Sequence, residues 1–336
     1  CLLFLIYSNM KKKLLLLYIL IFVIYILFFP KSAVTAAANG LILWYERVLP
    51  SLLPFAILSN ILIYSGFTEY LVKLFYPFLR LILPTSRNGS FVLLSGFLFG
   101  FPMGSKNCAE MLKCGQLEYI EANILFMVTN NISPVFISGY ILCQELQMPS
   151  LIFLSYLVLF LPPIITGRIL FAIVQRRRKT LARQNSKNTS TYKKPASGSQ
   201  INFKIIDAGI MNGFETLTRL GGYIMLFSMI SSMLQLIPFP EIINLMLCGF
   251  TEITNGIKAV SQSSLSPAHR YTLAMAFTAF GGFSGLAQTG SMIKGTSLSI
   301  KTYGMFKLIM TVITAVLAWA AVSLVYPAAV LPAGLP

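Results

Sequence analysis

The sequence has few charged residues and very few acidic ones. Only 11% of its 336 residues are charged, and ten of them are Asp or Glu. A soluble domain carries about 25% charged residues, so this chain cannot cover a water-facing surface with charge. Because 56% of the residues are hydrophobic, the composition predicts an all-α, polytopic membrane protein.

Histidine and closely spaced cysteines are also scarce. The chain has one histidine, His269, and five scattered cysteines, none in a C-x-x-C pair. A disulfide scaffold or a Cys/His zinc site needs more ligands at closer spacing. The sequence contains neither a G-x-x-x-x-G-K-[ST] loop nor an H-E-x-x-H motif. We therefore expect no enzyme and no resident cofactor or metal, while a coupling Na⁺ or H⁺ stays open.

Basic residues are concentrated in one polar region. The net charge of the chain is +16. Residues 175–207 hold nine basic residues and one acid, so this region alone contributes half of that charge. Membrane proteins place Lys and Arg in cytoplasmic loops. The basic composition of residues 175–208 therefore predicts a flexible cytoplasmic loop rather than a nucleic-acid site.

The N-terminal region has the pattern of a membrane anchor. Met10-Lys11-Lys12-Lys13 precedes an apolar run that ends at Pro30. We read Met10 as the natural start and residues 10–29 as an uncleaved signal anchor with its N-terminus inside. The alternative is a signal peptide cleaved near residues 36–38, which are three alanines.

Hydropathy and charge predict seven spans and two re-entrant hairpins. Segment 90–103 is only about 14 residues long and is broken by Gly and Pro, too short for a span of ~20 residues. Segment 241–258 is short and broken in the same way. With both as hairpins, Lys294, Lys301 and Lys307 lie inside and the C-terminus outside. The predicted spans are residues 14–29, 48–66, 119–146, 149–174, 215–237, 270–293 and 303–326.

The two halves repeat one order of elements. Residues 35–174 and 209–326 each contain a span, a broken hairpin, a broken span and a long span. Gly96 corresponds to Gly249 at an offset of 153 residues, and Phe126–Ser133 to Phe277–Ser284 at 151. The halves begin on opposite sides, which predicts inverted-topology repeats. Paired Gly/Pro-interrupted segments indicate a transporter-type site near the membrane midplane.

Glu252 is the most specific candidate for function. Backbone that is not helical at membrane depth must line a polar interior. An acid in such a segment is expected to bind solute, carry a proton or bind sodium. Thr254 and Asn255 beside it would contribute to the same site. The alternative is a solvated loop acid near the outer surface.

Uncharged polar residues mark the interrupted spans. Side chains at residues 129–133 offer both hydrogen-bond donors and acceptors, which suits a neutral polar solute better than a strong anion. The alternative is that they only recap a helix broken by Pro134. The residues concerned are Thr129, Asn130, Asn131 and Ser133, with Ser284, Gln288 and Thr289 as counterparts in the second half.

Lys106 follows the first predicted hairpin. It comes shortly after Gly100, Pro102 and Gly104. Its ammonium group is expected either to bind an acidic group or to pair with Glu110, one helical turn further on.

Several motifs resemble the nucleoside-recognition, or Gate, domain family. They are WYERVLPSLLPF from Trp44, GFLFGFPMGSKNCAEML from Gly96, TNNISPVFI from Thr129 and, as a second gate motif, GFTEITNGI from Gly249. The resemblance covers residues 35–325, except the basic loop, and is strongest for members that serve endospore formation in Firmicutes. It implies a multi-pass bundle related to concentrative nucleoside transporters. It places Gly100, Pro102, Gly104, Asn130, Ser133, Glu252, Thr254 and Asn255 on gate motifs.

These observations predict a cell-membrane protein of sporulation that transports or gates a small polar solute, nucleoside-like or similar. Its expected partners are the lipid bilayer, that solute, other sporulation membrane proteins and a second copy of itself, but not nucleic acid. A non-transporting scaffold or assembly factor is the main alternative. A membrane enzyme acting on envelope precursors is the third.

Overall fold

The computed structural model describes residues 2–184 and 202–325, and these residues form helices without a strand. In chain order they are α1 (Leu2–Phe28), α2 (Pro30–Leu43), a π-helical turn (Trp44–Val48), α3 (Leu49–Ser65), α4 (Thr68–Val72), α5 (Tyr76–Ile82), α6 (Arg87–Phe99), α7 (Met103–Lys113), α8 (Tyr119–Thr129), a π-helix (Phe136–Glu145), a 3-10 turn (Pro149–Leu151), α9 (Ile152–Gln184), α10 (Phe203–Gln235), α11 (Glu241–Thr251), α12 (Ile253–Ser261), α13 (Pro267–Phe280), α14 (Gly282–Met292) and α15 (Ile300–Val325). The all-α prediction is confirmed.

Three helical stretches are long and apolar enough to cross a membrane. They are Pro149–Arg177, Phe203–Gln235 and Ile300–Leu324. Residues Leu16–Phe28 and Pro30–Val48 would form a fourth span together, although they are bent by 105° at their junction. These helices support the predicted membrane localisation. The other apolar helices of the described residues are shorter, so the seven predicted spans stay a prediction.

The chain breaks at the four places where the sequence predicted interruptions. The first hairpin, α6–α7, turns at residues 100–102, and the second hairpin, α11–α12, turns at Glu252. The first break, residues 130–133, separates α8 from the π-helix, and the second break, Gly281, separates α13 from α14. These breaks position most of the candidate polar residues.

The first hairpin is larger than predicted. Residues 90–103 form only its first arm and its turn, because α7 continues as a second arm to Lys113. Gly100 has a φ of +70°, a backbone conformation that favours glycine, and this permits the reversal. Lys106 therefore lies in the first turns of a buried arm and not at the surface from which the hairpin entered.

The first hairpin contacts the first break through glycine. A Cβ atom on Gly96 or on Gly104 would lie 2.7 Å from the carbonyl oxygen of Thr129, so both arms approach that residue closely. At the turn, the Phe101 N–H donates to the Asn131 carbonyl at 2.5 Å. The backbone of the hairpin and that of the break are therefore in direct contact.

The second hairpin is equally close-packed. A Cβ on Gly256 would lie 2.2 Å from the Cα of Gly249, so its two arms touch backbone to backbone. A Cβ on Gly282, just after the second break, would lie 3.2 Å from the Thr251 carbonyl oxygen at the hairpin turn. Each hairpin turn therefore lies against the break that follows it in the chain.

The predicted basic loop is shorter than residues 175–208. Helix α9 continues to Gln184 and α10 begins at Phe203. Arg and Lys are good helix formers, and a helix of 33 residues exceeds the ~20 needed to cross the hydrocarbon core. The rest of this loop, residues 185–201, and the predicted external C-terminus after Val325 lie outside the described residues.

Helix α10 packs against the N-terminal helices α2 and α3. Gly209 and Gly213 face Ile61 and Ile57 of α3. On α2's side of this contact, the indole Nε1 of Trp44 donates to the Leu217 carbonyl at 2.7 Å. The small residues of α10 let this ring pack against the helix.

Candidate functional site at the helix breaks

Asn130 connects the first break to three other helices. Its Nδ2 donates to the hydroxyl of Thr289 in α14 at 3.0 Å and to that of Tyr303 in α15 at 2.8 Å. Its Oδ1 accepts from the Ser105 N–H of α7 at 3.2 Å. The Tyr303 hydroxyl donates back to the Asn130 carbonyl at 3.1 Å. The side chain is buried, and its amide is fully used in holding these elements together.

Asn131 contacts Lys307, a lysine that none of the candidate motifs contains. Its Oδ1 accepts from Lys307 Nζ of α15 at 2.9 Å, while its Nδ2 donates to the Val128 carbonyl at 2.6 Å. Lys307 is only 3% exposed. Its ammonium lies 5.7 Å from the ring centre of Tyr303, within cation–π range. Lys307 is therefore not a solvent-exposed lysine, and the side of the membrane on which it lies stays a prediction.

Lys307 has no acidic partner among the described residues. Its polar contact is the neutral amide of Asn131, and no carboxylate oxygen lies within ion-pair distance. Burying an ammonium group without a counter-charge is expensive. This makes Lys307 the most unusual ionisable group at the breaks.

Lys106 is buried in a similar way. Its Nζ donates to Asn212 Oδ1 and to Thr216 Oγ1 of α10, both at 2.5 Å. Glu110, its expected alternative partner, instead pairs with Lys113 at 3.2 Å. Glu110 and Glu215 act on Lys106 electrostatically but do not contact it. The pairing with Glu110 is therefore wrong, and Lys106 is held by uncharged groups.

The cavities at the first break are small. One of about 10 Å³ is lined by Phe101, Asn130, Tyr303 and Lys307, together with the second break. Another of about 10 Å³ adjoins Asn131. A volume of this size holds about one water molecule. The break is thus closed around Lys307.

Glu252 is buried and not a surface acid. It is 3% exposed, and its Oε2 accepts from the Asn255 N–H at 2.9 Å and from the Thr254 hydroxyl. These bonds place the carboxylate at the N-cap of α12, where the helix dipole favours negative charge. Among the described residues no basic side chain pairs with it. Glu252 therefore does not supply a counter-charge to Lys106 or Lys307 by an ion pair among the described residues.

The remaining predicted residues have local partners. Thr129 donates to the Leu125 carbonyl at 2.8 Å, and Ser133 accepts from the Phe136 N–H at 3.3 Å. Within α14, Gln288 donates to the Ser284 hydroxyl at 2.8 Å. In the second half it is Thr289 that reaches the first break.

A polar stripe in α15 could have identified the missed lysine. Tyr303, Lys307, Thr311 and Thr314 recur at helical spacing, and all four are buried. Polar residues on one face of an apolar helix indicate a polar interior. The positive-inside rule, applied to a lysine near the start of a span, masked that signal.

Comparison with known proteins supports the resemblance found in the motifs. Residues 46–144 match the family described as Gate: Nucleoside recognition. The chain is 28% identical over 313 residues to the sporulation integral membrane protein YlbJ of Bacillus subtilis (strain 168), covering 85% of this chain and 77% of that protein. No solved structure matches. The chain is therefore similar to a sporulation integral membrane protein, and residues 46–144 are similar to the Gate nucleoside-recognition family.

Proposed function

We propose that this protein transports a small polar solute carrying a negatively charged group across a membrane during spore formation. The observation that carries the proposal is Lys307, an ammonium group buried at the first break beside the amide of Asn131 and without a carboxylate partner. A solute anion would supply the missing counter-charge. Lys106, held only by uncharged groups, supports the same reading.

The chemistry of the site revises the expected solute. The uncharged side chains of residues 129–133 suggested a neutral molecule. A buried lysine adds a point charge with three donors, and the neighbouring amides and the Tyr303 hydroxyl add orientation through hydrogen bonds. This set suits a carboxylate or phosphate group attached to a small polar body.

The hairpins are the elements that would admit the solute. The cavity beside Lys307 holds about one water molecule, at a volume of about 10 Å³, so the solute enters only if the first hairpin moves away from the first break. Glycine at positions 96 and 104 leaves no side chains interlocked there. Movement of a hairpin against a broken helix fits alternating access between two inverted repeats of a seven-span bundle.

The orientation follows from the charge distribution. The end of α9 carries Arg176 and Arg177 and leads into the basic region, which we place in the cytoplasm together with the N-terminus. The C-terminus then lies outside. Homo-oligomerisation and contacts with other sporulation membrane proteins are compatible with this arrangement.

A gene replacement tests the proposal. The gene for YlbJ in Bacillus subtilis would be replaced by the gene for this chain, for its Lys307→Met variant or for its Lys301→Met variant, and heat-resistant spores would be counted. Lys301 lies on the same helix but is exposed. We expect Lys307→Met to lower the count strongly at normal protein level, and Lys301→Met to leave it unchanged. Equal counts for both variants would contradict the role of Lys307.

The same strains separate transport from a scaffold role. Mass spectrometry of isolated forespores would compare their content of small anions. We expect one anion to be depleted in the Lys307→Met strain relative to the Lys301→Met strain. A scaffold instead predicts an unchanged solute content and loss of co-purifying membrane proteins.

A further inference from the structure

A polar cleft that includes neither Lys106 nor Lys307 lies between the corner of α1 and α2 and the C-terminal half of α10. Its volume is about 640 Å³, inside the range of ~300–1,000 Å³ that small-molecule sites occupy. Hydroxyl and amide side chains line it from three elements, among them Thr35 and Asn39 of α2, Ser231 and Ser232 of α10 and Asn255 of α12.

Such a cleft cannot face hydrocarbon. Lipid offers no partners for hydroxyl and amide groups, so polar walls at membrane depth face water, a ligand or protein. Thr35 and Asn39 of α2 carry such groups, and both side chains are exposed and line the cleft. A water molecule or a ligand in the cleft would bond to these groups.

The residues that line the cleft indicate which charge a bound molecule can carry. It contains no carboxylate, its hydroxyl and amide groups donate hydrogen bonds, and Lys31 contributes one ammonium group. Phe28 and Phe29 add apolar surface at one wall. The cleft therefore accommodates a neutral or anionic polar molecule and disfavours a cation.

The cleft reaches the second hairpin. Asn255 lines it and belongs to the first turn of α12, where its N–H binds the carboxylate of Glu252. Gln235, which also lines it, donates to the Cys248 sulfur of α11 at 3.1 Å. Asn255 of the second hairpin thus forms part of the cleft wall, and Gln235 links that wall to the other arm of the hairpin.

We infer that this cleft is a water-filled vestibule in which the solute binds before or after it passes the second hairpin. The inference rests on the proposed function for the identity of the solute. It adds a binding site separate from Lys307, with the α1–α2 corner as one of its walls.

Cysteine labelling tests whether the cleft contains water. In a background carrying Cys114→Ser and Cys143→Ser, which removes two exposed thiols, Thr35→Cys is compared with Val34→Cys. Both positions are exposed on α2, but only Thr35 lines the cleft. We expect a membrane-impermeant, charged methanethiosulfonate to label Thr35→Cys from one side of membrane vesicles and not to label Val34→Cys. Equal labelling, or no labelling of either, would overturn the inference.

A bulky substitution tests whether the solute uses the cleft. Thr35→Trp fills it, whereas Val34→Trp adds the same ring at a neighbouring position that does not line the cleft. We expect Thr35→Trp to reduce heat-resistant spores at normal protein level and Val34→Trp to leave them unchanged; equal counts would overturn the vestibule. If the proposed function alone is wrong, Lys307→Met sporulates normally while Thr35→Cys is still labelled.

Discussion

The two broken regions follow the same order in the chain but satisfy their polar groups differently. At the first break, Asn130 and Asn131 bond to side chains of α14 and α15 that lie more than 150 residues away. At the second hairpin, the Glu252 carboxylate accepts hydrogen bonds from residues two and three positions further on. The asparagines of the first break therefore couple distant helices, whereas the Glu252 carboxylate caps an arm of its own hairpin.

This difference indicates a division of roles. The first break collects the cationic and amide groups that suit an anionic solute. The second hairpin uses its acid to begin α12. Interrupted segments in the two halves of the chain thus use their polar side chains differently.

Asn130→Leu should have the largest effect on stability. The change leaves buried groups of Ser105, Thr289 and Tyr303 without their partner, at about 1–3 kcal/mol for each unsatisfied group. We expect the free energy of unfolding, measured by SDS titration in mixed micelles, to fall by about 3 kcal/mol or more. The control is Asn123→Leu, since Asn123 bonds only within α8. Similar losses for both would show that the long-range bonds contribute little.

Gly104→Ala should have the next largest effect. The new Cβ would lie 2.7 Å from the Thr129 carbonyl oxygen, and overpacking of this kind costs about 1–3 kcal/mol. Gly222→Ala is the control, because that position has open space around its Cβ; there we expect a gain of roughly 0.5–1 kcal/mol from helix propensity. If thermal denaturation in detergent shows Gly104→Ala unchanged, the hairpin does not pack closely on the break.

Replacing Glu252, the N-cap residue of α12, tests whether its carboxylate does more than cap the helix. Glu252→Leu removes the cap of α12 and should cost about 0.5–2 kcal/mol of unfolding free energy. Ser is a preferred N-cap residue, so we expect Glu252→Ser to recover most of that loss and to keep spore formation. A Glu252→Ser protein that is stable but fails in spore formation would show that the carboxylate itself acts on the solute or an ion, as the sequence suggested.

Much of this arrangement could be predicted from the sequence. Gly, Pro and Asn interrupt apolar runs near the breaks because these residues end or bend helices locally, and Asn130 and Asn131 offer the donors and acceptors expected of a polar site. The partners of those residues could not be predicted. Nothing local indicates that Asn130 meets Thr289, which is 159 residues away, whereas the polar stripe of α15 does indicate that Lys307 faces inward. Long-range pairing depends on which face of each helix is buried.

Lys113→Ala should have the smallest effect on stability. It compares an exposed lysine with the buried Lys307. Lys113 is exposed at the end of α7 and pairs with Glu110 at 3.2 Å across one helical turn. Solvent and salt screen such a pair, so its loss should change the unfolding free energy by only about 0.2–0.5 kcal/mol. Spore counts should stay normal, in contrast to Lys307→Met. If Lys113→Ala instead lowers them as strongly as Lys307→Met does at equal protein level, burial of the ammonium group is not what distinguishes the functional lysine, and net positive charge becomes the better explanation.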